Sequence, residues 1–457
     1  MTIRIEKHLP VLLFVLVGIS ALASLPQVES AWTGVREVYG EQDFGLRILR
    51  EAMLLLVIAY AALEPRFWRG LLSSRELSLL GLMACFALLE TAYALYLGLP
   101  LVVPMAGLRV FEYLPLALIG VMIGRMGAGD HVVGRFTALL RFYLLLQACL
   151  AILQALWAPP LFGVSMLGGG RPFGTFVSPN LFGATMATCT LVFSLSPLPS
   201  MRKWMYLSVF LALLSGSRTA LFSAFLVLFF RFYAAVRPRD RWALVLPAPI
   251  LAVGLLLLAS TPLLSGRDDA DLSKDGRIDL WDRILNTYID GPMDLLFGWG
   301  LGLSSNTINI MFGAEHFPGQ FDSDSLYLFL LNGYGVVGVL AYLLLLWMTT
   351  RLSSHAHRGA VMTFIFVAGM PFNLWEYFPQ NAVLMFLWGV VLGTSRPLGQ
   401  RQQGNAMAGF PVQGGEPAIR PREWKTVAMD DLGLPSCIAR WPRDAEGRIE
   451  DRPGQGL

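Results

Sequence analysis

Residues 168–180 read GGGRPFGTFVSPN, and this stretch stands between two long apolar runs, 136–157 and 179–197. A hydrocarbon core about 30 Å thick needs roughly 20 apolar helical residues. Both runs are near that length, so the stretch is predicted to connect two transmembrane helices. A connection needs only a few polar residues, yet this one carries Arg171 among several glycines. The arginine therefore requires a functional explanation.

The rest of the 457-residue chain shares the apolar character of these flanks. It is 55% hydrophobic and 15% charged, and its mean hydropathy is +0.56. Soluble domains carry about 25% charged residues, so the composition indicates a membrane protein. The net charge of +3 is scattered along the chain. A nucleic-acid-binding protein would need a basic patch or stripe, and that class is excluded.

About twelve apolar runs follow one another, and they predict an all-α polytopic membrane protein with about twelve transmembrane helices. The runs are 9–27, 46–64, 77–97, 101–123, 136–157, 179–197, 202–216, 218–236, 241–261, 324–350, 359–374 and 380–395. The segment LLSGSRTALF interrupts the pair at 202–236. Two short helices that meet at a break and one bent helix both fit it.

Basic residues predict the orientation, because short cytoplasmic loops are enriched in Lys and Arg. Every even-numbered connection is basic and the odd-numbered ones are not, so both termini are expected in the cytoplasm. The long polar loop 262–323 then lies on the outer side of the membrane, as do Arg171 and the break at Arg218. We expect a transmembrane domain, 1–395, and a mostly disordered cytoplasmic tail, 396–457, rich in Gly, Pro, Gln and Arg.

Four arginines on the outer side are candidates for binding phosphate: Arg171, Arg218, Arg277 and Arg283. A guanidinium group is always charged and presents a planar fork that matches phosphate oxygens. Glycines beside Arg171, such as Gly170, would let backbone N–H groups approach the anion. Simpler roles stay open: a loop cap or ion pair for Arg171, a snorkelling or helix-end charge for Arg218, and surface pairing with nearby aspartates for the other two.

A second cluster precedes the run 324–350, and it comprises Glu315, His316, Asp322 and Asp324. A carboxylate or imidazole there could take a proton from a sugar hydroxyl. A solvated loop histidine and an N-cap aspartate at position 324 are the alternatives. Asp322 and Asp324 also form a carboxylate pair of the kind that holds a divalent cation, but no further ligands of suitable spacing are nearby. We expect no metal and no cofactor.

Four segments between about residues 165 and 350 resemble, in order, the O-antigen ligases and Wzy-type polysaccharide polymerases of the bacterial inner membrane. RPFGTFVSPNLFGATMA looks like the R-x-x-G-x-F-x-x-P-N segment of this superfamily, and LLSGSRTALFSAFL looks like its S-x-S-R-x-A helix. GRIDLWDRILNTYIDGPMDLLFGWGLG is similar to its R-x-x-x-W…P…G-x-G-x-G outer-loop segment, and DSDSLYLFLLNGYGVVGVLAYLLLL resembles the stretch after that loop.

The resemblance implies a GT-C-like helical bundle with one large periplasmic loop, and glycosyl transfer from an undecaprenyl-diphosphate-linked oligosaccharide without a metal. The motifs assign the diphosphate to Arg171, Arg218 and Arg277, with Arg283 in reserve. Gly170, Asn180 and Trp281 are expected to form a glycan platform. The implied partners are the lipid-linked oligosaccharide and the bilayer, together with a flippase and a chain-length regulator.

One departure favours a polymerase over a ligase. Ligases of this superfamily carry a histidine followed by Asn or Ser where the long loop re-enters the membrane, whereas this chain has Asp324-Ser325 there and His316 eight residues earlier. Ligase activity stays open as an alternative. A transporter or flippase for lipid-linked sugars is the other, although such proteins tend to contain internal repeats and none is convincing here.

Overall fold

A computed structural model describes most of the apolar part of the chain. The described residues are 5–23, 44–64, 74–108, 111–161, 172–176, 179–236, 286, 291–305, 308, 311–313, 316–317, 320, 325–352, 358–369 and 379–394. All of them belong to the unit Met1–Arg401. The predicted span 241–261, most of the predicted loop and the predicted tail lie outside these residues.

The regular structure within the described ranges is entirely α-helical. The helices are α1 (Ile5–Ala23), α2 (Phe44–Ala62), α3 (Ser74–Tyr96), α4 (Val102–Leu108), α5 (Leu114–Arg125), α6 (Gly129–Leu161), α7 (Pro179–Ser194), α8 (Pro199–Arg202), α9 (Trp204–Leu214), α10 (Arg218–Ala235), α11 (Pro292–Phe297), α12 (Leu326–Leu352), α13 (Arg358–Ala368) and α14 (Gln380–Gly393). The all-α prediction is therefore confirmed for the described part of the chain.

Three helices in this part of the chain are long and apolar enough to cross a membrane: Gly129–Gln154, Arg218–Ala235 and Leu326–Met348. Several apolar helices are shorter, among them Leu114–Arg125 and Gln380–Gly393. The chain is a membrane protein with an apolar helical bundle, and the number of twelve spans stays a prediction.

The structure divides one predicted run and decides between the two arrangements left open for a predicted pair. The run 101–123 becomes α4 and α5, and Pro115 lies in the first turn of α5, where proline favours the start of a helix. The pair at 202–236 becomes α9 and α10, so the reading as two helices that meet at a break is the correct one. Since α9 has 11 residues, it is only about 16 Å long.

Glycines bring α5 and α14 into very close contact at the centre of the bundle. Gly120 and Gly124 on α5 face Gly389 and Gly393 on α14, each pair spaced four residues apart as in close-packed membrane helices. A Cβ atom at Gly124 would lie 2.6 Å from Val390 O, and one at Gly120 would lie 2.8 Å from Val390 N. No larger residue fits without separating the two helices.

Buried hydroxyl pairs fix the antiparallel packing of α7 against its neighbours. Thr137 Oγ1 on α6 lies 2.9 Å from Ser196 Oγ, just beyond the end of α7. Thr190 Oγ1 on α7 lies 3.0 Å from Ser208 Oγ on α9. Helix α9 therefore runs antiparallel to α7 and ends near the start of α7. Because α10 follows α9 directly, the starts of α7 and α10 lie at the same end of the bundle. We call it the outer end, because the basic residues predict that it faces away from the cytoplasm.

A loop segment is fixed to a break in α12. Gly335 interrupts α12 with a φ of 64°, and a Cβ atom there would lie 2.5 Å from Phe297 N of α11. Gly298, with a φ of 72°, packs equally closely against the same turn of α12. Trp299 N donates a 2.7 Å hydrogen bond to Asn332 O, and Asn332 Nδ2 donates one of 2.6 Å to Ser304 Oγ. We call these contacts the glycine lock.

Candidate functional site

Two buried glutamines of α6 hold the turn 172–176, which follows Arg171 in the chain. Gln154 Oε1 accepts hydrogen bonds from the N–H groups of Phe173 (2.9 Å) and Gly174 (2.7 Å), and its Nε2 donates to Gly174 O at 2.8 Å. Gln147 accepts from Thr175 N and donates to Thr175 Oγ1 at 2.7 Å. All five residues of the turn are buried. The turn is therefore a fixed part of the bundle rather than a loose connection.

Gly174 is required by both its backbone and its surroundings. Its φ is 58°, a left-handed conformation that residues with a side chain rarely adopt. A Cβ atom would also overlap Gln147 Oε1 and lie 3.0 Å from the ring of Phe182. The glycine of the sequence motif thus lets the turn lie directly on α6.

The break between α9 and α10 places Arg218 at the first position of α10. Gly216 makes the break possible with a φ of 61°. Ser215 Oγ donates to Ala212 O at 2.6 Å and accepts from Ser217 N at 3.1 Å. Ser217 then caps α10, since its hydroxyl accepts a hydrogen bond from Ala220 N. The small residues of the SGSR segment therefore build a helix start with an arginine on it.

Arg218 itself is half-buried. Within the described residues no carboxylate lies within ion-pair distance of it. An arginine at a helix N-terminus is placed against the helix dipole, which favours an anion at that position. The charge of Arg218 and the dipole of α10 therefore both favour an anion near this helix start.

Gly183 of α7 brings this break against the start of α7. A Cβ atom at Gly183 would lie 2.5 Å from Ser215 Oγ and 3.0 Å from Ser217 Cβ. The contact lies only about 6 Å below the first residue of α7, at 1.5 Å per residue. The motif segment that includes the start of α7 is thus packed directly against the motif segment that contains Arg218.

The start of α14 meets the same turn of α7. Gln380 is 1% exposed, and its Nε2 donates to Thr185 Oγ1 at 2.6 Å and to Leu181 O at 3.3 Å. Its Oε1 is buried and has no hydrogen-bond partner among the described residues. The Gln380 side chain therefore links the starts of α7 and α14, and its Oε1 accepts no hydrogen bond from the described residues.

Three helices, α7, α10 and α14, consequently begin next to one another at the outer end. At about 100° per residue, Asn180 lies about 60° around α7 from Gly183 and about 100° from Leu181. It therefore stands on the side of α7 between α10 and α14. Helix N-termini carry free N–H groups and partial positive charge, and they are favourable places for phosphate. Arg218 adds a full charge to this group of helix starts.

The start of α12 lies on the end of α13, which packs against α10. Leu326 N donates to Gly369 O at 3.0 Å, and Tyr327 Oη donates to Phe366 O at 2.9 Å. Ser325, the first described residue before α12, is buried. The chain thus emerges from the predicted loop onto a helix pair that includes α10.

Of the eleven predicted site residues, three lie in the described part of the chain. Asn180 lies at the start of α7 and Arg218 at the start of α10, and these two helix starts pack together through Gly183. The structure places His316, which is exposed, against two phenylalanine rings. The other eight lie outside the described residues: Gly170, Arg171, Arg277, Trp281, Arg283, Glu315, Asp322 and Asp324. Their predicted roles stay predictions.

Three glutamines that organise this region were not among the predicted site residues. Gln147, Gln154 and Gln380 are all buried, and a buried amide needs partners for its donors and its acceptor. The available signal was an uncharged polar residue inside or at the edge of an apolar run. Such a residue is not recognised when only charged groups are considered as site candidates.

Residues 205–343 match a family model described as O-antigen ligase. A search of curated proteins and a search of solved structures found no match. The matched region runs from the second residue of α9 to the middle of α12 and includes Arg218 and the glycine lock. The predicted resemblance to the O-antigen ligase and Wzy-type polymerase superfamily is therefore confirmed over residues 205–343, and the segment 171–187 lies outside the match. The matched part of the chain is thus similar to an O-antigen ligase domain.

Proposed function

We propose that this protein is a polysaccharide polymerase. It joins undecaprenyl-diphosphate-linked oligosaccharide repeat units at the periplasmic face of the inner membrane, for exopolysaccharide, capsule or O-antigen. The observation that carries the proposal is the position of Arg218, where three helix starts meet and where no carboxylate within the described residues neutralises it.

The leaving group of this reaction is a lipid diphosphate, which gains negative charge as the glycosidic bond breaks. Preorganised positive charge that faces such a group is worth several kcal/mol in the transition state. Arg218 and the starts of α7, α10 and α14 supply that charge together. We assign Arg171, Arg277 and Arg283 to the same anion. The fixed turn that follows Arg171 rests on α6 and supports this assignment.

The acceptor hydroxyl must lose a proton as it attacks the anomeric carbon. We assign the general base to Asp324, because the start of α12 rests on α13 beside α10. Asp322, Glu315 and His316 are the alternatives. The arginines offset the charge of the diphosphate, so the proposed reaction needs no metal ion. Gly170, Asn180 and Trp281 are assigned to the glycan next to the diphosphate.

Ligase activity is the second candidate, because the family match fits it as well. The choice of a polymerase over a ligase rests on the aspartate at position 324, where ligases of the superfamily carry histidine. A deletion strain separates these activities from transport. Loss of long polymer with single repeat units still exported indicates a polymerase, polymer retained on the carrier lipid indicates a ligase, and units trapped in the cytoplasmic leaflet indicate a flippase.

The decisive variant is Arg218→Ala, compared with Arg231→Ala near the other end of the same helix. In the complemented deletion strain, Arg218→Ala is expected to abolish long polymer while the membrane level of the protein stays normal. Arg231→Ala is expected to restore wild-type polymer. Arg218→Lys keeps the charge but loses the planar fork, so it should restore only part of the activity. Wild-type polymer in Arg218→Ala would refute the diphosphate assignment.

A further inference from the structure

Three aromatic rings lie together in the segment before α12. The ring centroids of Phe312 and His316 are 5.5 Å apart with nearly parallel planes, at 24°. Phe317 meets both rings edge to face, at 5.2 Å from Phe312 and 4.7 Å from His316. His316 is exposed and the two phenylalanines are half-buried. We call Phe312, His316 and Phe317 the aromatic triad.

The triad is built onto a small apolar core of its own at the end of α3. The members of this core are Ala94, Leu99, Val103, Ala106, Leu303 and Ile308, and both phenylalanines of the triad and Trp299 pack against it. Trp299 is also part of the glycine lock. The triad therefore rests on the segment that is keyed to α12 rather than on a free loop.

A buried glutamine holds the triad in place from the other side. Gln320 is fully buried, and its Nε2 donates to Gly313 O at 2.6 Å. Its Oε1 accepts from Phe317 N at 3.0 Å, and its own N–H donates to Phe317 O at 3.0 Å. The residues on both sides of His316 are thus tied to one side chain. Because this segment is already held in place, binding of a ligand to the exposed ring of His316 costs little conformational entropy of the protein, which favours binding.

The chemistry of the triad suits a sugar ring. A pyranose has an apolar C–H face and a polar rim of hydroxyls, and aromatic faces attract such C–H groups through dispersion and their quadrupole. The imidazole of His316 adds ring nitrogens that can donate to or accept from a hydroxyl. Residues that merely anchor a protein at the membrane surface are mainly Trp and Tyr, and the exposed member here is a histidine.

We propose that the aromatic triad binds the glycan chain, with pyranose rings stacked on His316 and Phe312 at the outer end of the bundle. This inference rests on the proposed function, and it adds a second contact to the glycan beyond the diphosphate group. It also gives His316 a role as a ring rather than as a base.

Substitutions at position 316 separate these two roles. For a stacking ring, His316→Phe retains most of the polymer length, whereas His316→Ala shortens the polymer. Phe312→Ala shortens it as well, and in a reconstituted reaction it raises KM for a long acceptor by up to about tenfold with kcat nearly unchanged. Tyr96→Ala, at an 85% exposed aromatic residue on the end of α3, is the matched control and leaves both unchanged. Equal loss in His316→Phe and His316→Ala would overturn the proposal in favour of a base.

A binding measurement distinguishes failure of this inference from failure of the proposed function. The probe is a set of short and long oligosaccharides released from the surface polysaccharide of the host. The full-length protein in detergent should bind the long ones more tightly, and Phe312→Ala should lose that preference. Arg218→Ala should keep it, because that site binds the diphosphate. Equal binding of long and short oligosaccharides by the wild type would overturn the proposed glycan site at the aromatic triad. So would triad variants whose only effect is a lower membrane level of the protein. Normal polymer in the deletion strain would instead overturn the proposed function alone.

Discussion

Replacement of Gly183 by alanine tests whether the packing of α7 on the SGSR break positions Arg218. The new Cβ atom would lie 2.5 Å from Ser215 Oγ and 2.8 Å from Ala220 Cβ. Ordinary contacts between such atoms are about 3.4 Å or longer, so α7 and the start of α10 must separate by about 1 Å. Overpacking of this kind costs about 1–3 kcal/mol.

Rotation of Ser215 cannot relieve the clash without a further loss. Its hydroxyl donates to Ala212 O and accepts from Ser217 N, and all three residues are buried. A buried group left without its partner costs about 1–3 kcal/mol. The shift of α10 is therefore the favoured response. A misplacement of about 1 Å at a catalytic group can lower the rate about a hundredfold.

The assay is polymer synthesis by Gly183→Ala in the deletion strain and in reconstituted membranes. We expect about a hundredfold lower rate with a normal protein level, because the glycine pairs of α5 and α14 are untouched. Gly81→Ala is the control, since Gly81 lies on α3 and the new methyl group would meet no atom within 4 Å among the described residues outside its own helix turn. It should keep full activity. Full activity in Gly183→Ala would refute the idea that this contact positions Arg218.

Three further substitutions test other parts of the bundle. Gln154→Ala removes three hydrogen bonds from the turn 172–176, so we expect polymer synthesis to be lost and protease cleavage at the turn to increase. Unchanged cleavage would contradict this prediction. Gly389→Ala would make the new methyl group overlap the backbone of α5, which cannot move aside as a side chain could, so thermal stability in detergent should fall. An unchanged melting temperature would argue against the close packing of α5 and α14. Gln380→Leu frees the start of α14 from α7; turnover should fall more than membrane level, and the opposite order would make its role only structural.

The sequence predicted the all-α fold and an interruption before Arg218 from simple physical signals, and it left open whether the interruption gives two helices or one bent helix. Long apolar runs indicate helices in lipid, and a glycine flanked by serines indicates an interruption. The glycines of the turn and the outer-loop segment also proved to be required, as Gly174 and Gly298 show with positive φ angles and close contacts. These features are local, so they can be read from adjacent residues.

The long-range contacts could not be predicted in the same way. The link from Gln380 to Thr185 joins residues 195 positions apart in the chain, and hydropathy does not say which runs become neighbours. The division of the run 101–123 into two helices was missed for a related reason. Its apolar composition outweighed Pro115, although a proline is a local signal for the start of a helix.

The glycine lock bears on how the loop can differ in length between relatives. Residues 298–304 make backbone and side-chain contacts with the break in α12, so an added or deleted residue there would shift the register on both sides of the lock. Insertions and deletions in homologous chains should therefore be rare between Gly298 and Ser304. A tag or reporter domain introduced between these two residues would disrupt the protein.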